Sequence, residues 1–232
     1  MVELFKTKKS KCNYIFVPDF CGYPVPKAIF NNLETPSLNK FGCPSISSVK
    51  NKIYNANSFV DVEIEFGLKD DEPYYNYVIN EKSMQINDNV HTLIKSLIVL
   101  QYENNVINLQ LLAPYAFVTD DKELEFTTVM PNMKTENCTY IHGGFKPYYW
   151  VRSFNSSWTL KDISKPGKLY FDINNPFISV VFNKSVELEY MEVTEKITDY
   201  FDQSFRVNSI RKNLNQIYNN AKSRRPKRLL DK

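Results

Sequence analysis

The sequence predicts a mainly β fold, an antiparallel β-sandwich or jelly roll with a C-terminal amphipathic helix. Three observations predict it. Aromatic residues make up 14% of the 232 residues while Gly numbers only 6, and flat, bulky side chains suit half-buried pleated surfaces. Short apolar stretches recur along the chain, divided by Asn, Pro, Gly, Asp and Ser, in the manner of sandwiches and jelly rolls. After Thr194 the apolar period changes to a helical one. The expected organisation is a β-rich domain over 1–193 with an extended N-terminal leader, followed by a helix and basic tail over 194–232.

From Asn13 to Pro44 prolines stand at positions 18, 24, 26, 36 and 44, and each removes a backbone donor, so this stretch reads as an extended leader wrapped over the domain. Phe59 to Phe66 is the first clean strand, with Val60, Val62, Ile64 and Phe66 on one face and Asp61, Glu63 and Glu65 on the other. A row of carboxylates suits a metal or acid–base chemistry, but alternation alone accounts for it as a solvated face. Lys69 to Pro73 is a charged turn, after which Tyr75, Tyr77 and Ile79 resume the period of two.

Val90 to Tyr102 is nearly continuous apolar sequence and is expected to be a strand, although the spacing of Leu93, Leu97 and Leu100 also suits a helix. Glu103-Asn104-Asn105 then turns the chain into Val106 to Leu112, because Asn tolerates the left-handed backbone of tight hairpins. Further strands are expected at Leu124 to Val129, Thr139 to Ile141, Tyr148 to Phe154, Trp158 to Ile163, Lys168 to Phe171, Ile178 to Phe182 and Val186 to Met191.

Thr194 is a helix N-cap by type and position. Beyond it Tyr200, Val207, Leu214 and Ala221 recur at heptad spacing, with Ile210 and Ile217 beside them, so that these six form one stripe along a helix. The stripe has two uses that the sequence leaves open: folding onto the chain's own β domain, or contacting a protein partner or a second copy. Pro226 ends any helix and leaves Lys227 to Lys232 as a basic, mobile tip.

The formal charge of +3 is modest, and the excess is local. Lys222, Arg224, Arg225, Lys227 and Arg228 crowd the end and suit non-specific contact with a polyanion such as nucleic acid. No apolar run is long enough for a membrane span, and the opening residues lack the apolar core of a secretory signal. A soluble protein, made in the cytoplasm and without membrane contact, is expected, with Cys12, Cys21, Cys43 and Cys138 as reduced thiols.

Catalytic motifs are missing. The glycines, at 22, 42, 67, 143, 144 and 167, assemble neither a P-loop nor a dinucleotide fingerprint. His91 and His142 carry no carboxylate two places on, no Cys-x-x-Cys pair occurs, and there is no nucleophile elbow. No cofactor is expected. Cys138 and His142 stand close enough in sequence to consider as a nucleophile and base, but no orienting third residue is identifiable. The cluster Tyr148, Tyr149, Trp150, Arg152, Phe154 and Trp158 combines aromatic faces with a guanidinium, which suits stacking on bases or sugars as well as core packing.

Several segments together carry a resemblance: Pro24-Val25-Pro26, Phe41-Gly42-Cys43-Pro44-Ser45, Phe59-Val60-Asp61-Val62-Glu63, Leu112-Ala113-Pro114-Tyr115, Met130-Pro131-Asn132, Gly143-Gly144-Phe145-Lys146-Pro147, Trp150-Val151-Arg152 and Asn175-Pro176. Over about positions 20 to 185 the chain resembles an uncharacterised family of proteins encoded by tailed phages, including marine T4-like ones, known as a domain of unknown function. The resemblance implies a phage origin and a β-rich fold, and no activity. The function expected from it is that of a phage-encoded structural or interaction protein, made in the host cytoplasm and virion- or assembly-associated, that docks through the C-terminal helix and basic tail. The alternative is a jelly-roll enzyme or small-ligand-binding protein of infected-cell metabolism, whose pocket would gather Trp150, Arg152 and His142, with Glu125 as a further polar group.

Overall fold

The computed structural model describes residues 9–17, 30–32, 51–58, 60–80, 88–206 and 214–230. Five strands, β1 (Ser10–Phe16), β2 (Phe30–Asn32), β3 (Ile53–Asn57), β4 (Val62–Lys69) and β5 (Glu72–Ile79), precede helix α1 (Asp88–Leu97). Then come β6 (Ile98–Glu103), β7 (Val106–Leu112), β8 (Tyr115–Val118), β9 (Phe126–Val129), β10 (Thr135–Glu136), β11 (Cys138–Ile141) and β12 (Gly144–Phe145). The rest is β13 (Asn155–Leu160), β14 (Gly167–Phe171), β15 (Pro176–Phe182), β16 (Val186–Tyr190), α2 (Glu195–Phe201), a π-helical turn (Asp202–Arg206) and α3 (Leu214–Arg224). The fold is mainly β, with several antiparallel sheets, one sheet that also holds a parallel pair, and helix at the C-terminal end, as the residue pattern predicts in its main lines.

The charged turn after β4 and the predicted hairpin after β6 both form through paired left-handed residues. Asp70 and Asp71, at φ 53° and 63°, join β4 to β5, and Asn104 and Asn105, at φ 53° and 59°, join β6 to β7. Two consecutive residues with positive φ match the right-handed twist of the flanking strands, and Asn and Asp tolerate that conformation at least cost.

Two of the sheets are four-stranded, in the orders β10-β14-β4-β5 and β11-β13-β7-β6. Val62, Ile64 and Phe66 of the first and Ile107, Leu109, Leu111 and Trp158 of the second enter one core. The sheets approach closely at Gly167, where a Cβ would fall 2.5 Å from Leu160 Cδ2 and 2.7 Å from Cys138 Sγ. A five-stranded sheet, β12-β9-β15-β3-β2, adds Tyr54, Phe126, Val180 and Phe182 to the same core.

In the remaining sheet, β16-β1-β8, strands β1 and β8 bury residues on both faces, which is why Tyr14-Ile15-Phe16-Val17 and Tyr115-Ala116-Phe117-Val118 read as unbroken apolar sequence. Tyr14, Tyr115 and Phe117 point to the main core, whereas Ile15, Val17, Ala116 and Val118 point to a second core shared with the helices. Residues 13–16, expected in a wrapping leader, are therefore the middle of a sheet, in parallel register with β16 and antiparallel register with β8. Most of the expected leader, including its five prolines, lies outside the described residues.

Two further expectations are corrected. Residues 88–97 are helical, not extended: Val90, Leu93, Ile94 and Leu97 are buried at helical spacing while His91, Thr92, Lys95 and Ser96 are exposed, and the strand begins only at Ile98. Tyr148 to Phe154 is likewise not a strand. Pro147 opens a turn in which Tyr149 N–H and Trp150 N–H both donate to Lys146 O, at 3.1 and 3.0 Å, and ladder pairing resumes only at Asn155.

At the C-terminal end Thr194 caps α2 as predicted, its hydroxyl accepting from Ile197 N–H at 3.4 Å. The heptad stripe does not run along one helix. Residues 200 and 221 would stand about 31 Å apart on a single helix at 1.5 Å per residue, yet the Tyr200 hydroxyl lies 2.9 Å from the Ala221 carbonyl oxygen. α3 therefore packs back against the end of α2. Ile197, Tyr200, Phe201, Phe205, Ile217 and Ala221 close the second core over β1 and β8.

Candidate ligand-binding site

A cleft of about 520 Å³ opens between the outer face of the β11-β13-β7-β6 sheet and the C-terminal helices. Strand alternation builds its floor. Because Ile107, Leu109 and Leu111 face the core, Asn108, Gln110 and Leu112 face outward, and register sets them opposite Thr159, Ser157 and Asn155 of β13. Asn155 Nδ2 donates to Gln110 Oε1 at 3.0 Å and Gln110 Nε2 to Gln101 Oε1 at 3.2 Å, so three strands are linked by a chain of amides.

The walls come from elsewhere. Trp150 and Arg152 enter from the irregular segment after Pro147, Phe145 and Lys146 from β12 and the residue after it, and Tyr218 from α3. The Tyr200 hydroxyl, 2.9 Å from Tyr149 O as well as from Ala221 O, ties the irregular segment to both helices. Trp150 and Tyr218 have ring centroids 6.4 Å apart, and the Arg152 guanidinium lies 5.2 Å from the Trp150 centroid and 5.9 Å from that of Phe205. Trp150 is half-buried, but its Nε1 is closed off from solvent, so the indole offers the cleft ring carbon and not its donor. Lys146 is matched by Glu125 at 2.7 Å, and the bond to that carboxylate raises the ammonium above its ordinary pKa.

Set against known proteins, the chain matches no protein family, no curated protein and no solved structure.

Of the expected pocket residues, Trp150 and Arg152 meet in the cleft and His142 does not. His142 is exposed beyond β11, with Nδ1 3.1 Å from Thr128 O and its ring against Tyr140. Phe154, grouped with Trp150 and Arg152 in the aromatic cluster of the sequence, is instead buried in the main core. Sequence reading missed Gln110, Asn155, Phe145 and Tyr218, which lie on separate elements and converge only through register and helix packing.

The Cys138–His142 pairing is not assembled for nucleophilic chemistry. Cys138 faces the core with its Sγ toward Glu136 O and Lys168 O, and burial pushes its thiol up to about 11, away from the reactive thiolate. The row of carboxylates is internally matched: Lys168 lies 3.0 Å from Glu63 and 3.4 Å from Glu65, and Asp61 accepts from Ile173 N–H at 2.7 Å. Among the described residues no group of three or more His, Cys, Asp or Glu is placed to hold a metal ion, and no helix is long and apolar enough to cross a membrane.

The C-terminal residues divide. Of the two uses left open for the heptad stripe, Tyr200, Ile217 and Ala221 serve the first, being buried against their own chain and not free for a partner contact; Val207 and Ile210 lie outside the described residues, as does the side chain of Leu214. Arg225, assigned to polyanion contact, is also enclosed. Its Nε donates to Tyr148 O at 2.6 Å and its Nη2 to Thr119 O at 2.8 Å, beside Asp120 Oδ1 at 3.0 Å. Lys222, Arg224, Lys227 and Arg228 are exposed. The tail is docked, not mobile, up to residue 230: Leu229 is buried, and its N–H donates to Asp120 at 2.8 Å.

Proposed function

We propose that the chain is an interaction protein that recognises its ligand in the cleft between the β11-β13-β7-β6 sheet and the C-terminal helices. The observation that carries this reading is the convergence of Trp150, Phe145 and Tyr218, from three separate elements, over the amides of Gln110 and Asn155. A volume of about 520 Å³, mainly apolar walls and a few fixed polar groups are what small-ligand sites share. The buried heptad residues argue for this surface over docking through the helix stripe. The test is a thermal-shift survey of the full chain against saccharides, nucleotides and short peptides. A class that raises Tm in the parent protein and not in Trp150→Ala supports the reading; no such class, or a shift that survives the substitution, overturns it.

The resemblance to the tailed-phage family supports a phage-encoded structural role, with synthesis in the host cytoplasm and incorporation into virions. Mass spectrometry of purified particles tests it, and absence of the chain from them would refute incorporation.

A second contact is favoured by the exposed cations Lys222, Arg224, Lys227 and Arg228, which gather at the end of α3 and in the tail. They suit non-specific contact with nucleic acid or an acidic protein surface. Binding of this kind weakens steeply with added salt, and salt-insensitive binding, or none, would remove it.

A further inference from the structure

The outward faces of the two four-stranded sheets differ in chemistry. On the β10-β14-β4-β5 sheet the outward positions carry charges in ion pairs, Lys168 with Glu63 and Glu65, and Lys134 with Glu136. On the β11-β13-β7-β6 sheet, register aligns Gln101, Asn108, Thr159 and Thr139 in one row across all four strands. At about 4.8 Å per strand the row is about 14 Å long. The next row holds Val99, Gln110, Ser157 and Ile141, and the last brings Leu112 and Asn155 to the mouth of the cleft. Between Val99, Ile141 and Leu112, the polar positions of these rows are amides and hydroxyls, where the neighbouring sheet has ions.

Resting on the cleft reading above, we infer that the ligand is a neutral glycan, with one sugar ring against Trp150 and Tyr218 and the chain leaving along the outer face over Gln110. A sugar ring has an apolar C–H face that packs on aromatic carbon, which is what Trp150 presents once its N–H is buried. Its rim is hydroxyl, each both donor and acceptor, and the side chains that answer both roles are amides and hydroxyls. The Arg152 guanidinium lies over one face of Trp150, 5.2 Å from its centroid, and leaves the sugar the remaining aromatic carbon. A polyphosphate or acidic peptide would require several unmatched cations, and here Lys146 is already matched by Glu125.

The full chain, fluorescently labelled, is applied to a printed array of neutral, sialylated and sulfated glycans, and hits are titrated by calorimetry in parallel with adenosine triphosphate and an acidic peptide. The inference expects neutral glycans to bind and salt to have little effect. Trp150→Ala and, independently, Gln110→Ala on the exposed sheet face should each weaken binding by about tenfold or more, the loss of a stacked ring or of a hydrogen bond to a fixed partner. Circular dichroism confirms that each variant folds. Signals confined to acidic glycans, or to the nucleotide or peptide, that depend on Trp150 would refute the neutral glycan and leave the cleft reading standing. Glycan binding indifferent to both substitutions, or no binding in any arm, would sink both.

Discussion

The guanidinium of Arg225 and the carboxylate of Asp120 meet at 3.0 Å beneath the C-terminal tail, and the same carboxylate accepts the N–H groups of Leu229 and Leu230 at 2.8 and 3.2 Å. Two charges thus fasten the tail to the loop after β8. The arginine side chain is 1% exposed and stacks 4.5 Å from the Tyr148 centroid, so removing Asp120 leaves a buried cation without its counter-charge. Burying a charge without its partner costs several kcal/mol, and Asp120→Ala should destabilise the protein by about 3–5 kcal/mol, read from urea denaturation. The tail should also become sensitive to trypsin at Lys227 and Arg228; an unchanged midpoint and cleavage pattern would contradict the clamp.

Gly167 is fixed by space, not by backbone angle. A methyl group there enters Leu160 and Cys138 across the gap between the four-stranded sheets, and overpacking of this kind costs about 1–3 kcal/mol. Gly167→Ala should lower the thermal midpoint accordingly, whereas Gly144→Ala, with nothing within 4 Å of its Cβ, should not.

The β6–β7 turn makes a sharper distinction. At φ 53°, Asn104 pays a small penalty that Gly does not pay and Ala pays in full. Asn104→Gly should leave stability unchanged or raise it, and Asn104→Ala should lower it by about 1 kcal/mol, with circular dichroism melts reporting both. Equal effects from the two would mean that the turn is not left-handed in solution.

Strands were legible wherever one face is buried and the other wet, as with Val62, Ile64 and Phe66 against Glu63 and Glu65, because a period of two then shows in the residues. It failed at α1, whose buried Leu97 runs directly into Ile98 of the next strand with no polar break. It failed also at the heptads, since a stripe at helical spacing is satisfied by one long helix or by two helices that fold on each other. Five clustered cations carry no mark of which is buried, and only the fold singles out Arg225. In the cleft, Trp150 and Arg152 were visible as an aromatic pair with a guanidinium, but Gln110 and Asn155 are unremarkable in sequence and meet through strand register alone.

Ser10 and Lys184 converge on Asp121, each 2.6 Å from its Oδ2. Burial alone would raise the Asp121 pKa, but the hydrogen bonds from Lys184 and Ser10 outweigh it and hold the carboxyl below its ordinary value. A carboxylate depressed in the folded state contributes stability that is complete above its unfolded pKa, near 3.9 for Asp, and disappears as pH falls through the lower folded value. The lysine is more than a third exposed, so solvent screening limits the gain to about 1 kcal/mol or less. Asp121→Asn should therefore be less stable than the parent at pH 7, and the gap between them should shrink as pH falls below about 4. A gap that widened toward acid would mean that the carboxyl is raised on folding, and the ion pair with Lys184 would not hold in solution.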